Sequence, residues 1–198
     1  MNRGPFISVD GCDGSGNTTL SAFVADILKE YGYDVVLTAE PTEGKIGKLI
    51  RTRLREGEKD AVVDALLFAA DRIDHCRTLI EPALNEGKAV VSDRYFESSM
   101  AYQTTYGVPD EFVEKINSQA LKTDLTIILI VNPEISLKRK PQLTDWVENV
   151  DFLTKVVEKF KKRAEIMKYP TVRTDIPIEE TKSRVRQIID EFIKRWKK

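Results

Sequence analysis

Two spacings of apolar residues alternate along the chain. Short apolar runs at 6–10 (FISVD), 34–38 (DVVLT), 89–92 (AVVS) and 124–131 (DLTIILIV) read as strands, with a shorter fifth at 171–174. Between them the apolar positions open out to helical spacing. Leu20, Phe23, Val24, Ile27 and Leu28 mark one face of a helix over 18–31. Further helices are predicted at 44–54, 60–85, 109–121, 133–140, 151–167 and 178–197. Pro82 is expected to bend the long 60–85 helix or to open a separate last turn. Asn132 is placed to cap the 133–140 helix, with Pro133 at its first position. The run at 124–131 is the most apolar, as a strand buried on both faces should be, and is expected at the centre of the sheet. Strands and helices alternate throughout. The predicted fold is α/β: a parallel sheet of about five strands with helices on both faces, a three-layer sandwich. With no internal repeat and no linker, residues 1–198 read as one domain.

Composition narrows the function classes. A net charge of −1 argues against a nucleic-acid binder working by bulk charge. Two cysteines, Cys12 and Cys76, make neither a disulfide framework nor a zinc site and fit a reducing compartment. The start MNRGPFISVDG lacks the layout of a signal peptide, and no apolar run approaches about 18 residues. A soluble cytoplasmic protein that does not engage membranes is expected.

The first strand leads into GCDGSGNTT, Gly11 to Thr19, and then a helix. Strand, glycine-rich loop and helix in that order are what a phosphate loop requires. Gly11, Gly14 and Gly16 allow backbone shapes that side chains would block. Backbone N–H groups of the loop, with Ser15, Thr19 and the helix N-terminus, can then face an anion. Thr18 stands where such loops place the hydroxyl that meets Mg²⁺. An ordinary glycine-containing turn is the plainer alternative, but three glycines at these offsets followed by Thr18-Thr19 weigh against it. Asn17 occupies the position at which the pattern G-x-x-x-x-G-K-[ST] has lysine.

Other positions point to a bound nucleotide. Asp93 and Arg94 follow an apolar strand, at the end where open α/β sheets bind ligands, and an arginine can grip a phosphate through two parallel hydrogen bonds. Phe68 and Arg72, four apart, share a helix face that offers a flat aromatic and a planar donor to a nucleobase. Structural readings compete. Phe68 could be core, Arg72 could pair with Asp71 or Asp74, and Asp93-Arg94 could be a loop ion pair. His75, the sole histidine, reads as a polar helix residue and Cys76 as core.

Taken in order, DGCDGSGNTT, TAEPTEGKIGKLIRTRL, LLFAADRIDH, SDRYFESSMAYQ and NPEISLKRK resemble the corresponding segments of the thymidylate kinases, a branch of the P-loop nucleoside-monophosphate kinases. The resemblance implies that ATP, with Mg²⁺, donates its γ-phosphate to dTMP. It implies that Gly11, Gly14, Ser15, Gly16, Asn17, Thr18 and Thr19 form the ATP phosphate site, with Thr18 and Asp93 near the metal. For dTMP it implies Phe68 stacking on the base, Arg72 on the base edge, Arg94 on the acceptor phosphate, and Asp13, Ser99, Tyr102 and Gln103 around sugar and base. Tyr102 would crowd a ribose 2′-OH. Asp13, Asp93 and Arg94 are the implied catalytic set. A homodimer formed through helices and a lid over about 138–150 are implied as well.

The chain departs from the family where cations are usual: Asn17 in the loop, Ala39 before Glu40-Pro41, Trp146 in the lid segment and Val157 beyond it. Phosphoryl transfer rests on positioning and electrostatic stabilisation, and one lost preorganised donor typically costs about 10²–10³ in rate. Three readings stay open. The chain is a working dTMP kinase with replacement cations among Lys45, Lys48, Lys138, Arg139 and Lys140; or a nucleotide-binding homologue with a sensor or partner role; or a kinase for another pyrimidine monophosphate.

Overall fold

A computed structural model describes residues 3–57, 60–139 and 149–196. The elements in chain order are β1 (Phe6–Gly11), α1 (Asn17–Glu30), β2 (Val35–Ala39), α2 (Lys45–Glu56) and α3 (Ala61–His75). A π-helical turn over Cys76–Ile80 joins α3 to α4 (Glu81–Asn85). Then come β3 (Ala89–Asp93), α5 (Phe96–Thr105), α6 (Asp110–Ile116), β4 (Leu125–Ile130), α7 (Pro133–Lys138), α8 (Val150–Met167), β5 (Thr171–Arg173) and α9 (Ile178–Trp196).

The five strands form one parallel sheet in the order β2-β3-β1-β4-β5. Alternate residues serve opposite faces. Ile7, Val9, Val91, Ile127 and Leu129 pack with α1 and α9 through Leu20, Val24, Ile27, Val185 and Ile189. On the other face Phe6 and Val90 meet Ile80 and Leu84, while Ile128 meets Leu153, Val156 and Phe160 of α8. Both faces are therefore covered, as a parallel sheet requires. The run at 124–131 lies between β1 and β5 rather than at the centre; β1 holds the middle place. Apolarity reports burial on two faces, which every interior strand shares, so it does not rank them.

The 60–85 stretch is not one α-helix, and Pro82 opens a separate last turn, as one of the two expectations had it. Proline cannot donate to the carbonyl one turn back, and the helix widens to a π turn before α4 restarts with Pro82 in its first turn. The predicted 109–121 helix is regular only over Asp110–Ile116. The periodicity reading assigns no helix to 96–105, yet α5 forms there, held by a carboxylate from β1. Asp10 is fully buried, and its Oδ1 accepts from Tyr95 N and Ser98 N at 2.9 Å each and from Ser98 Oγ at 2.7 Å. An acidic group at the first turn satisfies donors that the helix itself leaves unpaired.

Along the chain, β1 leads to the edge strand β2, the next connection returns to β3 beside β1, and the chain then crosses β1 to β4 and on to β5. The switch falls between β1 and β3, which pair with Val9 opposite Asp93. Ligands of open α/β sheets lie at the carboxyl ends of strands at such a point.

Candidate active site

The loop that follows β1 closes on itself before α1 begins. Gly14 and Gly16 adopt φ of 74° and 92°. A Cβ on Gly14 would stand 2.4 Å from Ser136 O in α7, so the loop is braced from that side as well. Ser136 Oγ donates to Asp13 O. Gly16 precedes α1 with no side-chain cap, which leaves the first-turn N–H groups without helical partners and turned toward whatever anion sits there.

Asn17 is 6% exposed and turned inward: its Nδ2 donates to Gly11 O at 3.2 Å and Cys12 O at 3.3 Å. The amide ties the loop together where a lysine would carry charge outward. Ser15 is fully buried and its N–H is taken by Cys12 O, so of the predicted phosphate-site residues it offers the least to a ligand. Gly11 sits under the loop as an acceptor for Asn17 and Arg94.

A cavity of about 450 Å³ lies over this loop, lined by Asp13, Gly14, Gly16, Asn17, Thr18 and Thr19. Glu40, Asp93, Arg94 and Arg139 complete its wall. Thr18 Oγ1 donates to Asp93 Oδ2 at 2.6 Å, so the two residues predicted near a metal are in contact. Burial pushes the Asp93 carboxyl above its ordinary value, with the Thr18 hydrogen bond and Arg94 opposing the shift. Among the described residues no cluster of three or more His, Cys, Asp or Glu could hold a metal by itself.

A second cavity, of about 730 Å³, adjoins the first and shares Asp13, Glu40 and Arg94 with it. Phe68, Arg72, Ser99, Tyr102 and Gln103 all line it. Phe68 is half-buried and belongs to none of the described apolar clusters, which removes the core reading. Arg72 is 1% exposed rather than a surface ion-pair partner. Its Nη2 meets Glu40 Oε2 at 2.8 Å and its Nη1 donates to Asn117 Oδ1 at 2.5 Å. Asp71 instead accepts Thr42 N at 2.7 Å and Thr42 Oγ1 at 2.6 Å, fixing the loop after β2. His75 is a polar residue of α3, as expected, and is buried.

Arg94 occupies the boundary between the cavities. Its backbone φ is 68°, a left-handed conformation that a branched or bulky residue adopts only at a cost. Its Nη1 donates to Gly11 O at 2.6 Å, and Nη2 pairs with the Asp13 carboxylate. Burial works against the charge, but Asp13, Tyr102, Asp93 and Asp10 more than offset it and hold the guanidinium protonated. Asp13 N donates to Tyr102 Oη at 2.9 Å, which links the phosphate loop to α5.

Of the replacement cations proposed from the sequence, Arg139 lines the phosphate cavity and Lys48 the larger one. Arg139 Nη2 donates to Thr174 O at 2.7 Å and Nη1 to Gly14 O at 3.4 Å. Both partners are neutral, so its charge has no counter-ion among the described residues. Lys45 and Lys138 are exposed and line neither cavity. Lys140, Trp146 and most of the predicted lid lie outside the described residues. Val157 is 4% exposed inside the apolar cluster of α8 and β4. It is a core residue and is struck from the set of lost phosphate-site cations. Asp10, Glu40 and Ser136 are structural members of the site that periodicity could not announce, because each works through a partner distant in sequence.

Comparison with known proteins adds an independent line. The profile of the family described as thymidylate kinase matches residues 9–185. A probable thymidylate kinase of Pyrobaculum calidifontis is 44% identical over 188 residues, covering 93% of this chain and 95% of that protein. Probable thymidylate kinases of Pyrobaculum aerophilum, at 43% over 192 residues, and Archaeoglobus fulgidus, at 39% over 193, cover at least 94% of either partner.

Proposed function

The chain belongs to the thymidylate kinase family, and on that premise we propose that it transfers the γ-phosphoryl group of ATP to dTMP, giving ADP and dTDP, despite Asn17. The observation that carries this reading is the pair of adjoining cavities. A loop-and-helix phosphate cavity meets an aromatic-walled cavity of nucleotide size, with Asp13, Glu40 and Arg94 common to both.

The acceptor oxygen belongs to a phosphate monoester whose second pKa is about 6, so it is largely ionised at neutral pH and needs no general base. It attacks the γ-phosphorus while the bond to the β-bridging oxygen breaks, and ADP leaves with that electron pair. What the protein must supply is alignment and positive charge. Arg94 holds the acceptor phosphate at the boundary, with Asp13 orienting it. Phe68 stacks on the base, Arg72 stands at its edge, and Ser99, Tyr102 and Gln103 enclose sugar and base. On the donor side the loop N–H groups cradle the phosphates, and Arg139 provides the cation that Asn17 does not. Its lack of a counter-ion among the described residues supports that role.

Thr18 and Asp93 present two hard oxygens in contact, a donor set suited to Mg²⁺, which keeps waters and phosphate oxygens as its other ligands. Thr18 and Asp93 would hold such an ion, and it would supply positive charge beside the transferring phosphoryl group. The rest of the reading is a cytoplasmic homodimer, one domain over 1–198, and a lid over about 138–150. The dimer is supported by α3, where Val62, Val63 and Leu66 are 47%, 39% and 47% exposed. No described helix is long and apolar enough to cross a membrane.

A coupled assay with dTMP, ATP and Mg²⁺ tests the reaction, and substitution of dUMP, UMP and dCMP tests the base. Faster turnover of dCMP than dTMP would refute the assignment of Arg72.

A further inference from the structure

Behind the larger cavity lies a buried polar chain that ends on Arg72 and begins with residues given no part in the reaction. His75, at the end of α3, is 3% exposed. Its Nε2 is 2.8 Å from Thr38 Oγ1 and its Nδ1 is 3.1 Å from Glu40 Oε1. The other oxygen of Glu40 is 2.8 Å from Arg72 Nη2. A carboxylate only accepts, so with Glu40 ionised the ring proton sits on Nδ1, and in the neutral ring Nε2 accepts from the Thr38 hydroxyl. Order therefore runs from β2, through the imidazole, to a carboxylate and then to a guanidinium on the cavity wall.

The guanidinium is held from other sides too. Asn117 Oδ1 at 2.5 Å and Tyr95 O at 3.1 Å accept from it, and it stands 5.2 Å from the centre of the Tyr95 ring. Glu40 is the one charged partner in this set, and the contact of Glu40 Oε2 with Arg72 is an ion pair without full hydrogen-bond geometry. Such a carboxylate is free to turn about its last torsion unless its second oxygen is fixed. The Nδ1–H of His75 fixes it. The plane of Arg72 decides which of its N–H groups can face a base edge, so that plane is a specificity element.

We propose that His75 is a positioning residue of the nucleoside cavity, orienting Glu40 and, through Glu40, the Arg72 guanidinium that faces the acceptor base. The proposal rests on the reading of this cavity as the dTMP site. It assigns His75 no contact with substrate and no proton transfer.

Substitutions at position 75 separate this from a merely structural role. His75→Leu removes both contacts. His75→Asn keeps an amide N–H near the place of Nδ1. Thr38→Val, nearly isosteric, removes the hydroxyl alone. Dissociation constants for dTMP by calorimetry are read together with steady-state KM and kcat. His75→Leu is expected to raise KM and Kd for dTMP about tenfold, the net worth of one well-placed hydrogen bond to a charged group, with kcat changed less than about twofold. Its preference for dTMP over dCMP should fall as well. His75→Asn should recover most of the affinity, and Thr38→Val should show a smaller change in the same direction. Unchanged dTMP affinity in His75→Leu, a loss confined to kcat, or an Asn variant no better than Leu would each overturn the proposal. If His75→Leu fails to fold, Thr38→Val decides: wild-type affinity there overturns it. Arg72→Lys separates the two readings. Wild-type dTMP binding in Arg72→Lys overturns the base-site reading and this proposal together. Weakened binding there, with His75→Leu unaffected, overturns this proposal alone.

Discussion

Asn17 and Arg139 carry the question of activity at the scale of single residues. The amide of Asn17 serves two loop carbonyls that are otherwise buried. Asn17→Ala should destabilise the protein by about 0.5–1.5 kcal/mol through the lost hydrogen bonds, since Gly11 O keeps Arg94 Nη1 and Cys12 O keeps Ser15 N as donors, a shift visible in thermal unfolding, while changing kcat less than about tenfold. Arg139→Gln should do the reverse. With a principal donor-side cation gone, kcat should fall about 10²–10³ with little change in melting temperature. If the two variants exchange these phenotypes, the assignment of charge to Arg139 is wrong. Much of the candidate site was legible at this scale. Gly14, Gly16, Thr18, Asp93, Arg94, Phe68, Arg72, Ser99, Tyr102 and Gln103 are all found on the two cavity walls. What could not be read was the inward turn of Asn17 or the core placement of Val157, because a residue type and a motif offset do not say which way a side chain faces.

Between elements, close backbone approaches set the site. Gly47 in α2 sits so near the loop after β2 that an added Cβ would stand 1.9 Å from Thr42 O. Gly47→Ala should therefore push that loop, with Glu40, Pro41 and Glu43, off the wall of the larger cavity and raise KM for dTMP more than KM for ATP. Equal effects on both substrates would contradict the placement. Helix α5 is joined to α8 by Glu97 and Arg163, whose two nitrogens meet the carboxylate at 2.8 and 3.0 Å, with Glu97 only 2% exposed. Removing one partner of such a buried pair costs about 3–5 kcal/mol. Arg163→Met is expected to show a loss of that order in denaturant unfolding. The same helix explains what the sequence concealed. FESSMAYQTT buries Glu97, Ser99, Met100, Ala101, Gln103 and Thr104, several of them polar, so no apolar stripe marks a helix. Its first turn is completed by Asp10 from β1. Tertiary partners override weak local preference there. Elements with one apolar face, such as α1 and α9, were readable within a residue or two of their ends.

For the molecule as a whole, the switch between β1 and β3 brings the loop after β1 and Asp93-Arg94 together, and the residues proposed to hold the acceptor base and sugar, Phe68, Arg72, Ser99, Tyr102 and Gln103, lie on α3 and α5. Sequence alternation was enough for that architecture, though not for strand order, since burial on two faces is common to all interior strands. The exposed apolar residues of α3 make a further prediction at this scale. Leu66→Glu should convert a dimer to a monomer in sedimentation velocity, and an unchanged sedimentation coefficient would remove α3 from the interface. The central claim is that this member of the thymidylate kinase family transfers phosphate without a lysine in its phosphate loop. Its most direct test is formation of ADP and dTDP from ATP and dTMP by the purified protein, with Mg²⁺ and then with EDTA. The account predicts stoichiometric ADP and dTDP, lost on chelation. dTMP binding by calorimetry with no dTDP formed would contradict it.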